Sequence, residues 1–433
     1  MKKTFVVFVA LILLSGVLAG TASAGKFSYT SGIQVQNLSA TDANVTLTYY
    51  KQDGNVDATV NDTITANGSK TYFPVGASDG FNGSVIISSD QPVSAISNIL
   101  GNSGAASASY VGASAGGQTV NLPLLMKSNS GYDTWFNVQN TGNADATVDV
   151  TYSDGTTAGP VTIKPGASYT FDQATESHNQ AVFSAVVTSD QDVAITVIEE
   201  NASIMFAYSG FTSGSTNPVM PLINANNAGF ITGVQIQNTG NTATDVTVSY
   251  TAANAGSDCT ETQTIPANAS VTFALGAFSN GANSTCTGGA RFIGSASVTA
   301  NSAGNDLTVI VNQLGPASGE AYGGFDPASA SSTVVMPLIM DRNSGYFTGF
   351  NIQNVGSSAT TVDCTFTNSP YTVSETLQPG EALSEIQNNQ IADGYIGSAT
   401  CTASSSGLIL GVVNELGPSA SSDQLLVYEA TNN

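Results

Sequence analysis

Side chains that could carry out catalysis are sparse in this sequence. The single histidine, His178, lies in a polar segment, where a lone histidine is usually solvated. Carboxylates are adjacent at Glu199 and Glu200 and close at Asp190 and Asp192, but a glycosidase needs two carboxylates held about 5–9 Å apart in a cleft. Nucleophile-elbow, zinc-protease and phosphate-loop motifs are all missing. We therefore predict a protein that is not an enzyme, with no catalytic and no cofactor-binding residue.

Calcium is the metal that the sequence suits best, because several predicted turns offer hard oxygen ligands. These turns are residues 153–155, 189–192 and 305–306. None of them has the ligand spacing of a recognised calcium loop. No metal ligand is assigned, and calcium binding is kept as an alternative to a protein without any cofactor.

An internal repeat stands out once the chain is compared with itself. Four segments alternate apolar and polar residues and end in asparagine, a pattern that predicts a strand with one buried face. They are residues 32–37, 135–140, 233–238 and 349–354. A second alternating strand, a Pro/Gly or Asn/Gly corner, a small-residue strand, an apolar strand and a tyrosine-bearing segment follow each of them in the same order.

This spacing predicts about seven short strands per ~100 residues, which is typical of an Ig-like β-sandwich. A β-barrel is the less favoured alternative. We expect an all-β protein of four tandem Ig-like β-sandwich repeats after a cleaved signal peptide. The predicted boundaries are residues 1–24 for the signal peptide, 25–117 for repeat 1, 118–216 for repeat 2, 217–332 for repeat 3 and 333–433 for repeat 4.

A Pro-Leu element precedes the first strand of repeats 2, 3 and 4, at residues 122–126, 220–223 and 336–340. The simpler interpretation is a linking strand that begins each of these repeats. The alternative is that repeat 1 lacks its first strand and has an open edge, unless residues 27–29 fill it. A segment of another chain could then be added there, which would produce a head-to-tail polymer.

The four cysteines lie in repeats 3 and 4 and lack the Cys-x-x-Cys spacing of zinc sites. Cys364 and Cys401 align with Val248 and Val298, inward positions on strands that should lie close together. Cys259 and Cys286 both fall in insertions of repeat 3. An even number of cysteines in an exported chain favours two disulfides, Cys364–Cys401 and Cys259–Cys286.

Aromatic residues cluster near the start of repeats 2 and 4. Tyr132, Trp135 and Tyr346 could face outward at one end of a sandwich and contact a sugar or another partner. The alternative is that these rings pack at the joints between repeats.

The N-terminus has the pattern of a secretory signal peptide. Lys2 and Lys3 precede an apolar run at residues 5–14, and Ala22-Ser23-Ala24 forms a small-x-small cleavage site before Gly25. No second apolar stretch is long enough to span a membrane, so we expect no transmembrane segment in the mature chain. The net charge of −22 argues against nucleic acid as a partner.

The Pro-Leu segment, the aromatic loop, the Gly-x-x-Ile-Gln-Asn strand and the alternating Thr/Val strand together resemble the tandem Ig-like repeats of exported bacterial surface proteins. The resemblance covers nearly all of residues 27–433. It implies a surface-layer, sheath, filament or adhesion protein, although a sorting signal and a cell-wall-binding module are missing. Self-association, or binding to other cell-surface proteins or glycans, would then hold the chain at the surface.

From these features we expect an extracellular or cell-surface protein with a structural or assembly role and no catalysis. The alternative is a secreted carbohydrate-binding or adhesion protein.

Overall fold

The computed structural model describes residues 25–274, 278, 283–301, 304–404, 406–418 and 422–432, together with the backbone of Val6–Phe8. The predicted signal peptide therefore lies outside the described residues apart from that short strand. One 3-10 turn occurs at Pro327–Ser329, and every other regular element of the described part is a β-strand. The predicted all-β class is confirmed. Among the described residues no helix is long and apolar enough to cross a membrane.

Two sheets share a core in repeat 1. Their strand orders are β1-β6-β3-β4 and β5-β2-β7-β8. The strands are β1 (Val6–Phe8), β2 (Tyr29–Asn37), β3 (Ala43–Lys51), β4 (Val56–Ile64), β5 (Ser69–Tyr72), β6 (Gly83–Ser89), β7 (Val93–Gly101) and β8 (Ala106–Val111). Alternate residues of both sheets point into one apolar cluster, in which Val35 of β2 joins Leu47 of β3 and Ile87 of β6.

Repeat 2 forms one continuous sheet, because its longest strand extends through both halves. The strands are β9 (Gly117–Met126), β10 (Asp133–Asn140), β11 (Ala146–Tyr152), β12 (Thr157–Ile163), β13 (Ser168–Asp172), β14 (Val182–Glu200) and β15 (Met205–Ser209). The first half of β14 pairs with β9 and β11, and the second half pairs with β10 and β15.

Repeat 3 again has two sheets, β16-β21-β18-β19 and β20-β17-β22-β23, with buried residues of both in one core. The strands are β16 (Val219–Ala225), β17 (Ile231–Asn238), β18 (Thr244–Ala255), β19 (Cys259–Ile265), β20 (Ser270–Phe273), β21 (Phe292–Ala300), β22 (Leu307–Leu314) and β23 (Gly319–Gly323). Strand order and pairing follow the plan of repeat 1, with β16 in the place of β1.

The sheets of repeat 4 have the orders β27-β26-β29-β24-β32 and β28-β25-β30-β31. The strands are β24 (Thr333–Asp341), β25 (Phe347–Asn354), β26 (Thr360–Phe366), β27 (Thr372–Leu377), β28 (Ala382–Gln387), β29 (Tyr395–Ala403), β30 (Ile409–Leu416), β31 (Leu425–Glu429) and β32 (Thr431–Asn432). The chain divides into two compact units, Met1–Thr212 and Ser213–Asn433, and each is described by itself below.

Both predicted disulfides are present. Cys364 and Cys401 face each other directly across β26 and β29, with their Cα atoms 4.0 Å apart. Val248 and Val298 form the same cross-strand pair in repeat 3. Cys259 at the start of β19 bonds to Cys286, which lies in the loop between β20 and β21. The first disulfide links two strands of one sheet, and the second links a strand to a loop.

The asparagine that closes each repeated motif is a structural residue. Asn37, Asn140, Asn238 and Asn354 are fully buried. In each case Nδ2 donates to a turn carbonyl four residues on and to the carbonyl of the last residue of the strand before the corner. Oδ1 accepts a backbone N–H two residues on. The side chain satisfies backbone groups that the turn would otherwise leave buried without partners.

The Pro-Leu element is a strand of the repeat that follows it, as the simpler interpretation predicts. β9 pairs with β14, β16 with β21 and β24 with β29. A tyrosine of the closing strand forms a hydrogen bond to each Pro-Leu strand. The hydroxyls of Tyr208, Tyr322 and Tyr428 donate to the carbonyls of Leu124, Leu222 and Leu338, respectively. Tyr29 begins β2 in the opposite sheet, so residues 27–29 do not take the place of such a strand in repeat 1.

Candidate functional site

The three aromatic residues proposed to contact a partner have different surroundings. Trp135 is only 4% exposed and packs edge-to-face on Tyr29 of repeat 1, with ring centroids 5.7 Å apart. Tyr132 is half-buried against Phe206. Tyr346 is half-buried beside Gly417. Trp135 therefore packs at a joint between repeats, the second of the two alternatives, and offers no open ring face to a sugar.

The joint between repeats 1 and 2 has its own apolar cluster, to which the closing strands β8 and β15 both contribute. A buried carboxylate, Glu200, lies at its margin. Tyr29 Oη donates to Glu200 Oε2 over 2.6 Å, and the backbone N–H of Lys26 donates to Oε1. Lys26 Nζ bonds to Asp133 Oδ2 over 2.8 Å. Asp133 and Glu200 face each other across β10 and β14, so residues at the start of repeat 1 are tied to one end of this strand pair.

Burial raises the pKa of Glu200 to about 7, although the bonds from Tyr29 and Lys26 favour the charged form. Burial and the neighbouring Glu200 carboxylate raise the pKa of Tyr29, which stays a hydrogen-bond donor. A Cβ placed on Gly25 would lie 3.0 Å from Glu200 Oε1. The first residue after the predicted cleavage point is thus beside this carboxylate. These groups hold two repeats in position.

His178 is enclosed and not solvated. Its ring stacks on Phe183 and meets Tyr152 edge-on, and its side chain is fully buried. Nδ1 lies 3.2 Å from Asp154 Oδ2, and burial lowers the pKa of the imidazole. Asp154 also accepts the backbone N–H groups of Thr156 and Asn179. The cluster fixes the loop that carries His178. The hydroxyl of Thr156 lies 3.2 Å from Nδ1, and it donates its proton to Asp154 Oδ1 over 2.6 Å.

Two carboxylates of the turns considered for calcium already accept backbone N–H groups of the fold. Asp154 holds the His178 loop, and Asp190 Oδ1 accepts the backbone N–H of Thr147 over 2.7 Å. Within the described ranges no three His, Cys, Asp or Glu side chains are close enough together to hold a metal ion. Calcium binding stays a prediction.

The joint between repeats 3 and 4 is built like the joint between repeats 1 and 2. Ser84 Oγ donates to the carbonyl of Gly166 in the N-terminal unit, and Ser295 Oγ donates to the carbonyl of Gly380 in the C-terminal unit, each over 2.5 Å. Both serines directly follow a glycine of the small-residue strand, and both acceptors belong to Pro-Gly corners of the even-numbered repeats. The closing strands also meet in both units, β8 with β15 and β23 with β31.

Aligned residues differ between the two joints. By alignment of the repeats, Gly349 occupies the place of Trp135, and Phe230 occupies the place of Tyr29. The indole of Trp135 fills the joint of the N-terminal unit. Without a side chain at Gly349, the C-terminal unit has an open cleft of about 340 Å³ between repeats 3 and 4.

Planar polar groups line this cleft around one aromatic ring. Asn224, Gln313 and Asn414 form a chain of amide hydrogen bonds at 3.2–3.3 Å. Asn351 is only 5% exposed, yet its Nδ2 has no hydrogen-bond partner. Arg291, Glu385 and Phe230 complete the polar and aromatic wall. A neutral ligand with several hydroxyl groups matches such a set, because each amide both donates and accepts.

Sequence reasoning missed this cleft and selected Trp135, the residue that closes its counterpart. The available signal was the exchange of tryptophan for glycine at one aligned position of the repeated motif. The asparagines and glutamines of the cleft gave no signal, because such residues are common throughout this sequence.

No protein-family model matches the chain, and no curated protein shows significant similarity to it.

Proposed function

We propose that this chain is an exported, non-catalytic structural or assembly protein of the cell surface or extracellular matrix, built from four Ig-like β-sandwich repeats. A surface-layer, sheath or filament subunit is the role that this plan suits best. Two disulfides are compatible with an oxidising extracellular environment. The leader-like N-terminus, the sparse charge and the repeat plan support the same role.

The observation that carries the proposal is how the conspicuous side chains are used. Trp135, Tyr29 and Glu200 join one repeat to the next, His178 holds a loop, and the repeated asparagines satisfy turns. Aromatic, acidic and imidazole groups that could serve catalysis in other proteins here hold repeats and loops in position. A chain whose side chains are used in this way suits a structural or assembly role.

The test is to express the whole gene product in a bacterial host with a Sec pathway, then fractionate the cells and sequence the N-terminus of the protein. We expect the protein in the surface or extracellular fraction, beginning at Gly25. Full-length protein in the cytoplasm of cells that export a control protein would contradict the proposal.

The cleft of the C-terminal unit favours a second function, the binding of a neutral glycan. Asn351 supplies a buried donor without a partner, and Phe230 offers a ring on which the apolar face of a sugar could pack. A surface protein that also binds a glycan would combine both roles. The predicted contacts Tyr132 and Trp135 lie in the other unit and take no part in this cleft.

Gly349→Trp tests the second function by placing in the cleft the residue that fills its counterpart. Residues 25–433 are screened on an array of neutral oligosaccharides, and binding to any hit is measured by calorimetry. We expect Gly349→Trp and Asn351→Ala to weaken binding at least about tenfold. Gly233→Trp is the matched control, because that aligned glycine has open space around it and does not line the cleft. Binding that survives both cleft variants, or no binding to any oligosaccharide, would rule out the glycan site.

A further inference from the structure

One sheet edge in repeat 1 differs from its counterparts in repeats 2, 3 and 4. In those repeats the small-residue strand is covered by a linking strand of the same chain. In repeat 1 the equivalent strand, β6, is covered by β1, and β1 lies within the predicted signal peptide. Removal of residues 1–24 would leave β6 as an edge strand with one row of backbone N–H and C=O groups unpaired.

The pairing of β1 shows that this edge accepts a strand in a defined register. Phe8 pairs with Ile87, as Val120 pairs with Val187 and Val334 with Cys401. Ile87, Val187 and Cys401 are the fifth residues of the aligned small-residue strands. All three pairings are antiparallel. The leader segment thus lies at the position and in the direction of a linking strand.

The sequence of β6 does not protect this edge. Natural edge strands avoid pairing by carrying charges, prolines or bulges. The opposite edge strands β4, β12, β19 and β27 each contain a carboxylate or a proline. β6 reads Gly-Ser-Val-Ile-Ile-Ser-Ser and contains neither. Val85 and Ile87 belong to the core, while Ile86 and Ser88 are half-exposed on the other face.

We propose that β6 of the mature chain pairs with β6 of a second copy, antiparallel and about a two-fold axis near Ile86. The sheet then runs continuously as β4-β3-β6 of one copy followed by β6-β3-β4 of the other. A second copy offers the same unprotected edge, and a two-fold axis satisfies both edges at once. No charge lies within β6, so the pairing brings no like charges together. This inference rests on the proposed export, because β1 must leave before β6 is free, and it names the partner as the chain itself.

The experiment is light scattering combined with size-exclusion chromatography on residues 25–433, over a wide range of concentration. We expect a dimer at high concentration, with slow amide hydrogen exchange across residues 84–89. Ile86→Lys and Ser88→Lys place like charges close to the two-fold axis, so each should weaken the dimer about tenfold or more. Thr59→Lys, on the exposed face of β4, is the matched control and should dimerise like the wild type.

Two results would overturn the inference. The first is a monomer at every concentration, with fast exchange across residues 84–89. The second is a dimer that both lysine variants form as well as the wild type does. Larger assemblies that persist in both variants would refute the edge pairing and leave the assembly role standing. A dimer that is lost in the variants, from a protein that never forms larger structures, would support the pairing and refute that role.

Discussion

The hydroxyl of Tyr29 donates a 2.6 Å hydrogen bond to the carboxylate of Glu200, a residue 171 positions further along the chain. Tyr29 begins the first strand of repeat 1, and Glu200 ends the long strand of repeat 2. Trp135 covers the same contact edge-on. A buried acid with a raised pKa is retained at a joint between repeats, where it fixes the start of one repeat to the end of the next.

Tyr29→Phe removes the donor and leaves the buried carboxylate of Glu200 with one fewer partner. We expect the free energy of unfolding of the N-terminal unit to fall by about 1–3 kcal/mol. Trp135 is the single tryptophan of the chain, so its fluorescence during urea unfolding reports on this joint. In the background of Glu200→Gln, Tyr29→Phe should reduce the free energy of unfolding by less, because a buried neutral amide loses less free energy than a buried carboxylate when a partner is removed. Equal costs in both backgrounds would show that the bond does not stabilise the joint.

Asn140→Ala removes the side chain that closes the repeated motif of repeat 2. It deletes two bonds to the carbonyls of Ala144 and Ile163 and one from the N–H of Gly142. We expect a loss of about 2–4 kcal/mol, since buried backbone groups lose their partners. The control is Asn143→Ala on the exposed part of the same turn, which should change stability by less than about 0.5 kcal/mol. A small effect for both variants would show that the bonds of the buried asparagine do not stabilise the turn.

Glu415 makes the stability of the C-terminal unit depend on pH. Burial raises its pKa to about 8, and Oε1 has no hydrogen-bond partner. The folded state therefore keeps a proton that the unfolded state loses above its ordinary pKa of 4.5. The unfolded state binds fewer protons between pH 4.5 and 8, so the contribution of Glu415 to stability falls as the pH rises through this window.

Glu415→Gln introduces the residue that repeat 3 has at the aligned position, Gln313. Calorimetry should show the variant more stable than the wild type at pH 9 by about 2 kcal/mol or more, and the difference should vanish near pH 4. Glu381→Gln serves as the control, since that side chain lies in the Pro-Gly corner outside the core. A wild type whose stability relative to Glu415→Gln is the same at pH 4 and pH 9 would contradict this account.

Replacing Cys364 and Cys401 together by valine reproduces the cross-strand pair Val248–Val298 of repeat 3. The core keeps its apolar contacts, so the protein should fold and lose only the cross-link, at a cost of about 2–4 kcal/mol for a loop of this length. Reduction of the Cys364–Cys401 disulfide in the wild type should lower the free energy of unfolding by a similar amount. Failure of the double variant to fold would mean that the disulfide is required for the fold of repeat 4.

The strands could be predicted from the sequence, because the alternation of apolar and polar residues, the turn residues and the internal repeat all indicate the same strands. The 32–37 motif and its three relatives were predicted from local pattern, and the pairing of Cys364 with Cys401 was predicted from comparison with Val248 and Val298 of repeat 3. The linking strands were predicted for the same reason. The hydrogen bond of each closing tyrosine was not predicted, because it joins the hydroxyl to a carbonyl of the Pro-Leu element 84–100 positions away.

The joints between repeats could not be predicted, since they depend on how one sandwich packs on the next. Trp135 and Gly349 occupy the same place in the motif, yet one closes a joint and the other opens a cleft. His178 looked solvated because its partners, Asp154 and Phe183, come from other parts of the fold. Long-range packing of this kind has no local pattern in the sequence.

The most direct test of the assembly role is negative-stain electron microscopy of residues 25–433, concentrated with and without calcium. The account predicts filaments, tubes or sheets with a repeating spacing, and images with and without the ion show whether calcium contributes. Dispersed single chains at every concentration, in either condition, would contradict the assembly role and leave glycan binding in the cleft beside Gly349 as the better explanation.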